Sequence, residues 1–267
     1  MASETYSHGH HHSVVDVHAV RTAQDCAGYL LPELAPGMSL LDVGCGPGSI
    51  TSDLAALTAP GPVVGLDSSE DVLVQARELA AGRGLANASF VAGNVYDLDF
   101  PDETFDVVHA HQVLQHLMDP VAALREMRRV AKPGGLVAVR DADFSGMVWH
   151  PPTPELAEWM RIYQLIARGN SAEPDAGRHL LAWALEAGFT EITPSSSNWL
   201  YATPAERSWH ADSWSQRVLH SAFGEQAQDR GLADAQGLQR LAAGWQEWAA
   251  APEGWFLIPC GELLLRA

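Results

Sequence analysis

Leu40-Leu41-Asp42-Val43-Gly44-Cys45-Gly46-Pro47-Gly48 is the stretch on which the reading of the chain turns. A short apolar run of strand character passes into glycines at alternate positions, where backbone must approach a ligand too closely for any side chain. Ser49 to Leu57 then reads as a helix, whose first N–H groups face whatever fills the turn. The dinucleotide fingerprint G-x-G-x-x-G would need its third glycine at position 49. The chain has Ser49 there, with Pro47 intruding, so a nicotinamide oxidoreductase is the least favoured reading.

Working outward, short apolar runs alternate with helical patterns, the mark of βαβ units and a parallel sheet. Strands are expected at Ser39–Val43, Pro62–Leu66, Ser89–Ala92, Phe105–Ala110 and Leu136–Arg140. Ser68, with Asp71 three residues on, reads as an approximate capping box for a helix running to about Ala81. Asp119-Pro120 supplies a cap and a first-turn proline to another, ended by Lys132-Pro133-Gly134-Gly135. Beyond Asp143 the pattern changes, and all nine tryptophans fall there. Helices are expected around Glu155–Ala167, Arg178–Ala187, Pro204–Phe223 and Ala233–Ala250. One further strand is expected to begin near Phe189. Another should span Gly254–Arg266, on an edge or at a bulge because Pro259 and Gly261 interrupt it.

The glycine stretch resembles the first motif of class I S-adenosylmethionine-dependent methyltransferases, hhDhGxGxG, with Asp42, Gly44, Gly46 and Gly48 all in place. In that family this loop holds the methionine part of the cofactor. Asp67 ends the second strand 25 positions after Asp42, where the family puts an acid on the ribose hydroxyls. A carboxylate there accepts two charge-assisted hydrogen bonds from a cis diol. Gly93-Asn94-Val95 replaces the common Gly-Asp-Ala; Asn94 keeps an acceptor oxygen for the adenine amino group but loses the charge. Phe100–Val108, Leu114-Gln115-His116-Leu117 and Val130–Gly135 match further segments of the ubiquinone/menaquinone-biosynthesis-like branch. The resemblance covers roughly residues 37–140, and quinone substrates do not follow from it.

It implies a Rossmann-like, doubly wound α/β fold with a mostly parallel seven-stranded sheet and helical lid insertions. Residues 37–143 would form the cofactor core. Residues 1–36 would be a helical or flap segment over the cleft, and 144–267 the substrate lid helices with the last two strands. The implied cofactor is S-adenosyl-L-methionine. Its expected contacts are Asp42, Gly44, Cys45, Gly46, Gly48, Asp67, Ser68, Asn94, Val95, His111 and Gln112, with Arg21 reaching the methionine carboxylate.

The sulfonium methyl is already activated, so the protein's tasks are alignment and exclusion of water. A base is needed only for an acceptor that carries a proton, and histidine suits that role. His116, just past the fourth strand, is the catalytic candidate, set against a helix-packing role. His109 and His111 alternate along that strand, and one of them is expected to face the cofactor. Tyr6, His8 and His10 are read as a flap touching substrate, together with Trp149. Trp199, Trp209 and Trp214 are read as further parts of an aromatic lid that suits a flat apolar molecule. Leu238, Leu241, Trp245 and Trp248 make a core stripe at helical spacing. Asp141 and Asp143 are read as solvated or capping acids, so no metal is expected.

Bulk numbers restrict the partners. Acidic residues outnumber Lys plus Arg 33 to 16, and such a surface repels nucleic acid and anionic membranes alike. Three scattered cysteines argue for a reducing compartment. The absence of an apolar leader in MASETYSHGHHH adds to that, and the chain is expected to be cytoplasmic. The partner expected is a small-molecule methyl acceptor, with a homodimer left open. The rival readings are a rearrangement on the same fold that uses the sulfonium only as bound charge, and methylation of a protein.

Overall fold

Leu40–Val43 (β1) is buried at every position and lies in the interior of the sheet. Val63–Asp67 (β2) and Phe105–His111 (β4) flank it in parallel, with Leu40 opposite both Val63 and Val107. Ala88–Ala92 (β3) extends the sheet beyond β2, and Ala131–Ala142 (β5) beyond β4, also in parallel. This computed structural model describes residues 21–267. The strand order is β3-β2-β1-β4-β5, followed by the antiparallel Trp255–Arg266 (β8).

Ile192–Tyr201 (β7) pairs with β8 along its length, from Ile192 opposite Leu265 to Tyr201 opposite Phe256. A strand has only two edges, so the remaining edge of β8 is shared. β5 takes residues 260–266 of it, and the short Val148–His150 (β6) takes residues 255–257. Among the described residues eight strands therefore occupy seven lanes, one more strand than the sequence suggests.

Pro259 lies where β8 changes partner, in a strand paired on both sides and not at an edge. Its carbonyl accepts from Asp143 N at 3.0 Å, in the gap between β5 and β6. In an antiparallel ladder a residue's N–H and C=O point to the same side. The donor that proline lacks would thus have faced the gap, and no ladder bond is lost. The expected edge position or bulge does not occur: β8 runs unbroken through Pro259 and Gly261 inside the sheet.

The helices follow from local signals. Ala23–Cys26 (α1) is tied to Ser49–Thr58 (α2) through Ala23 N, which donates to Asp53 at 2.9 Å. Glu70–Gly82 (α3) starts one residue later than expected. Its cap is Ser69, and the Asp67 carboxylate, not a serine hydroxyl, accepts Ser69 N at 3.0 Å. Pro120–Val130 (α4) has the anticipated Asp119 cap, bonded to Ala122 N at 2.9 Å.

The second half builds its own aromatic core. Pro154–Gly169 (α5) lies beside the lid cluster, and Ala176–Glu186 (α6) packs on the sheet side. Pro204–His220 (α7) and Ala222–Asp229 (α8) are two helices where the sequence suggested one, because Ser221 turns extended and caps Phe223 N. Ala235–Ala250 (α9) buries Leu238, Leu241, Trp245 and Trp248, confirming the stripe. Trp159, wholly buried, meets Trp214 and Trp245 edge-on at 4.5 and 4.8 Å between ring centres, a favourable aromatic geometry.

Candidate active site

At the carboxyl ends of β1, β2 and β4 the glycine loop opens a cleft of about 360 Å³, within the range of small-molecule sites. Gly44, Gly46 and Gly48 all have positive φ, at 68°, 54° and 78°. Each serves differently. A Cβ on Gly44 would strike Val113, and one on Gly48 would strike Ala76, which lets α3 pack against the turn. A Cβ on Gly46 would meet nothing within 4 Å and would project into the open cradle. Gly48 is therefore a packing glycine and is not part of the cleft wall.

Asp67 is half-buried on that wall, its two oxygens accepting Gly46 N and Ser69 N, each at 3.0 Å. A carboxylate oxygen accepts more than one bond, so the acid ties the loop to β2 and keeps capacity for a diol. Cys45, Ser68, Asn94, Val95, His111, Gln112 and Arg21 also line the cleft. Asn94 folds its side-chain oxygen back to Tyr96 N at 3.1 Å, in a local turn.

Asp42 borders the cleft but is 3% exposed, and its oxygens are engaged. One accepts from Thr51 Oγ1 at 2.5 Å, and the other is 2.7 Å from His109 Nδ1. It braces the loop from beneath. His109 and His111, two residues apart, share a face of β4 and differ in depth. One of the two reaches the cleft, His111, while His109 lies under the loop on Asp42; depth and not alternation separates them.

Gln112 adopts φ 54°, a sparsely populated conformation for a residue with a side chain. Its N–H donates to Arg140 O and its Oε1 accepts Arg21 Nη2, both at 2.7 Å. Arg21 also stands 5.1 Å over the Trp199 ring, which Arg140 approaches at 4.3 Å. Arg140 is buried and paired with Glu262 at 3.1 Å.

His116 is half-buried in the cleft wall, with its Nε2 3.0 Å from Gln115 Nε2. Burial, aided by the charge of Arg21, lowers its pKa to about 3. Asp143 caps Gly146 N and pairs with Arg178, as a capping acid should. Asp141 is not solvated. It is wholly buried, accepts from Gln115 N at 3.1 Å, and burial raises its pKa to about 7. Among the described residues no group of His, Cys, Asp or Glu is arranged to hold a metal ion.

On the lid side Trp199 and Trp214 line the cleft as expected, but Trp149 and Trp209 do not. Trp149 stacks on Phe256 in the β6–β8 ladder, and Trp209 stacks outside on Tyr201. Tyr6, His8 and His10 lie outside the described residues. Sequence reasoning missed Tyr201, His210 and Arg217, which complete the lid wall. His210 stacks on Tyr201 with ring centres 4.0 Å apart, and burial, then Arg217, lowers its pKa to about 3.

Comparison with known proteins agrees with this geometry. A family model described as a methyltransferase domain matches residues 34–202. An uncharacterized methyltransferase of Schizosaccharomyces pombe is 37% identical over 98% of this chain and 96% of its own length. A demethylmenaquinone methyltransferase of Geobacillus stearothermophilus is 42% identical, over only 38% of this chain and 43% of that protein. Haemonchus contortus phosphoethanolamine N-methyltransferase 2, solved with S-adenosylhomocysteine, superposes with a TM-score of 0.54 at 19% identity. That match covers 87% of this chain and 49% of the other, a likeness of fold alone.

Proposed function

Because the chain belongs to the S-adenosylmethionine-dependent methyltransferase family, we propose that it methylates a small molecule held between the glycine loop and the helical lid. The observation that carries this reading is the enclosed cleft. A side-chain-free turn at Gly46 and a carboxylate at Asp67 form one wall, and Tyr201, His210 and Trp214 the other. The cofactor supplies an activated methyl group on a sulfonium.

The residues fit such a group. The open cradle at Gly46 would admit an amino-acid tail, and Asp67 would accept from ribose hydroxyls. Asn94 and Val95 would border the adenine end, and Arg21 would meet the methionine carboxylate. Gln112 is held in place by Arg21 and by the backbone of β5. His116, neutral down to about pH 3, is a weak proton acceptor, and its role is to wall the cleft. The net charge of −17 argues against a nucleic-acid acceptor. No helix of the described residues is long and apolar enough to cross a membrane.

The test is incubation of the purified chain with methyl-labelled cofactor and a metabolite extract. Label in a low-molecular-weight product, with one S-adenosylhomocysteine per methyl gained, supports the reading. Label in protein, or rearrangement of an acceptor without loss of the methyl group, would overturn it.

A further inference from the structure

We propose that Asp141 is a positioning residue of the cleft: its buried carboxyl fastens the turn Leu114–His116, and a ligand closing on that turn drives the carboxyl to its ionised form. The inference rests on reading the cleft as the cofactor site, and it adds a coupling between cofactor binding and one buried acid.

Asp141 lies at the carboxyl end of β5 and is wholly buried. Its Oδ1 accepts Gln115 N at 3.1 Å, and Leu114 N also donates to the carboxyl. Its Oδ2 has no hydrogen-bond partner among the described residues. The turn is held from a second side by Gln115 O, which accepts Glu173 N at 3.0 Å. Gln115, His116 and Leu117 line the cleft, as does Val113 just upstream. Val113 lies against the glycine loop, where a Cβ on Gly44 would strike it. A movement of the turn is therefore transmitted to the loop. The carboxyl stands behind the wall and acts on a ligand through the turn.

An ionised carboxylate accepts a backbone N–H more strongly than a protonated acid does, whereas burial opposes the charge. The groups packed around Asp141 do not offset that burial. Arg140, its neighbour in β5, turns its guanidinium to Glu262 and Ser197. On β4, His109 is engaged by Asp42, and His111 meets Trp199 edge-on. On β8, burial raises the Cys260 thiol to about 12, and burial likewise keeps the Tyr29 phenol protonated. On α6, Arg178 pairs with Asp143, and His179 stacks on Trp183. His116, on the turn itself, stays neutral down to about pH 3. Burial therefore dominates, and Asp141 titrates at about 7 in the free chain.

A ligand resting on the turn selects the form that holds the turn more tightly, which is the carboxylate. The positive charge of the sulfonium adds to that preference. The bound pKa then falls below the free one, so binding releases a proton between the two values. Affinity rises with pH up to about 7 and levels off above it.

The experiment titrates the full chain by calorimetry with S-adenosylmethionine and with S-adenosylhomocysteine. It runs from about pH 5.5 to 8.5 in two buffers of different ionisation enthalpy, so that released protons are counted. Affinity for both should rise roughly tenfold across that window, the effect of one pKa unit. Asp141→Asn keeps an oxygen for the two amides and cannot ionise, so its profile should be flatter by that factor and its proton release smaller. A carbon-13 carboxyl titration of the unsubstituted chain gives the same reading without a variant. One carboxyl with a midpoint at about 7 should move to lower pH when S-adenosylhomocysteine is added. Coincident pH profiles for the two chains, or a midpoint that the ligand leaves in place, overturns the inference. Absence of binding by either nucleoside at every pH overturns the underlying cofactor reading instead.

Discussion

Asp67 does two jobs with one carboxylate: it fastens the glycine loop to β2 and presents acceptor capacity to the cleft. Asp67→Ala should therefore weaken S-adenosylmethionine binding by about 1.5–3 kcal/mol in calorimetry, the range for a hydrogen bond to a charged group. Asp67→Asn, which retains one acceptor oxygen, should lose less. Asp42 is the opposite case, a motif residue whose oxygens are spent on Thr51 and His109. Its removal leaves a buried histidine nitrogen without its partner. Asp42→Ala should cost about 1–3 kcal/mol of stability in urea unfolding. Both acids were visible in the sequence because the resemblance to the family's first motif and its spacing to the end of the second strand mark their positions. Their different duties were not visible, since burial and partner choice depend on which strand lies alongside.

Helix α7 delivers Tyr201's stacking partner His210, together with Trp214 and Arg217, from one continuous segment. Its start is fixed by a capping box, in which Thr203 accepts Glu206 N and Glu206 accepts Thr203 N at 2.8 Å. Thr203→Ala should cost about 1 kcal/mol of stability and loosen the first turn. On the reading above it should also raise KM for the acceptor more than that for the cofactor, measured by varying each in turn. The elements of residues 37–140 were legible because each strand is a short apolar run and each helix has its own cap or stop. The lid wall was not. Tyr201, His210 and Arg217 meet only after α7 folds back on β7, and no local spacing records that encounter. Trp149 was misread for a related reason: an aromatic residue in a lid segment can face the ladder as easily as the cleft.

Across the whole molecule, buried ionisable groups give stability a defined slope with pH. His116 and His210 have folded-state pKa values of about 3, below their ordinary 6.5. Between those limits the unfolded chain binds more protons at both, so stability rises with pH. Asp141 works in reverse: raised from 3.8 to about 7, it contributes most below pH 4 and is lost as pH climbs towards 7. Two histidines against one carboxyl leave a net gain of roughly one proton's worth, ~1.4 kcal/mol per pH unit between about pH 4 and 6.5. Urea midpoints across that window should rise with pH. Asp141→Asn should steepen the rise, and His210→Gln should flatten it.

The change of partner at Pro259 has a consequence for how the two halves of the molecule are joined. One β8 backbone carries the cofactor half of the molecule on residues 260–266 and the aromatic half on residues 255–257. Between them the connection from Asp143 to Met147 detours opposite a residue with no donor to satisfy. Lengthening or recutting that detour puts a single strand hydrogen bond at stake, the one from Asp143 N to the Pro259 carbonyl. The aromatic half is thus joined to this strand by few bonds at that point, while one continuous strand keeps it aligned with the glycine-loop half.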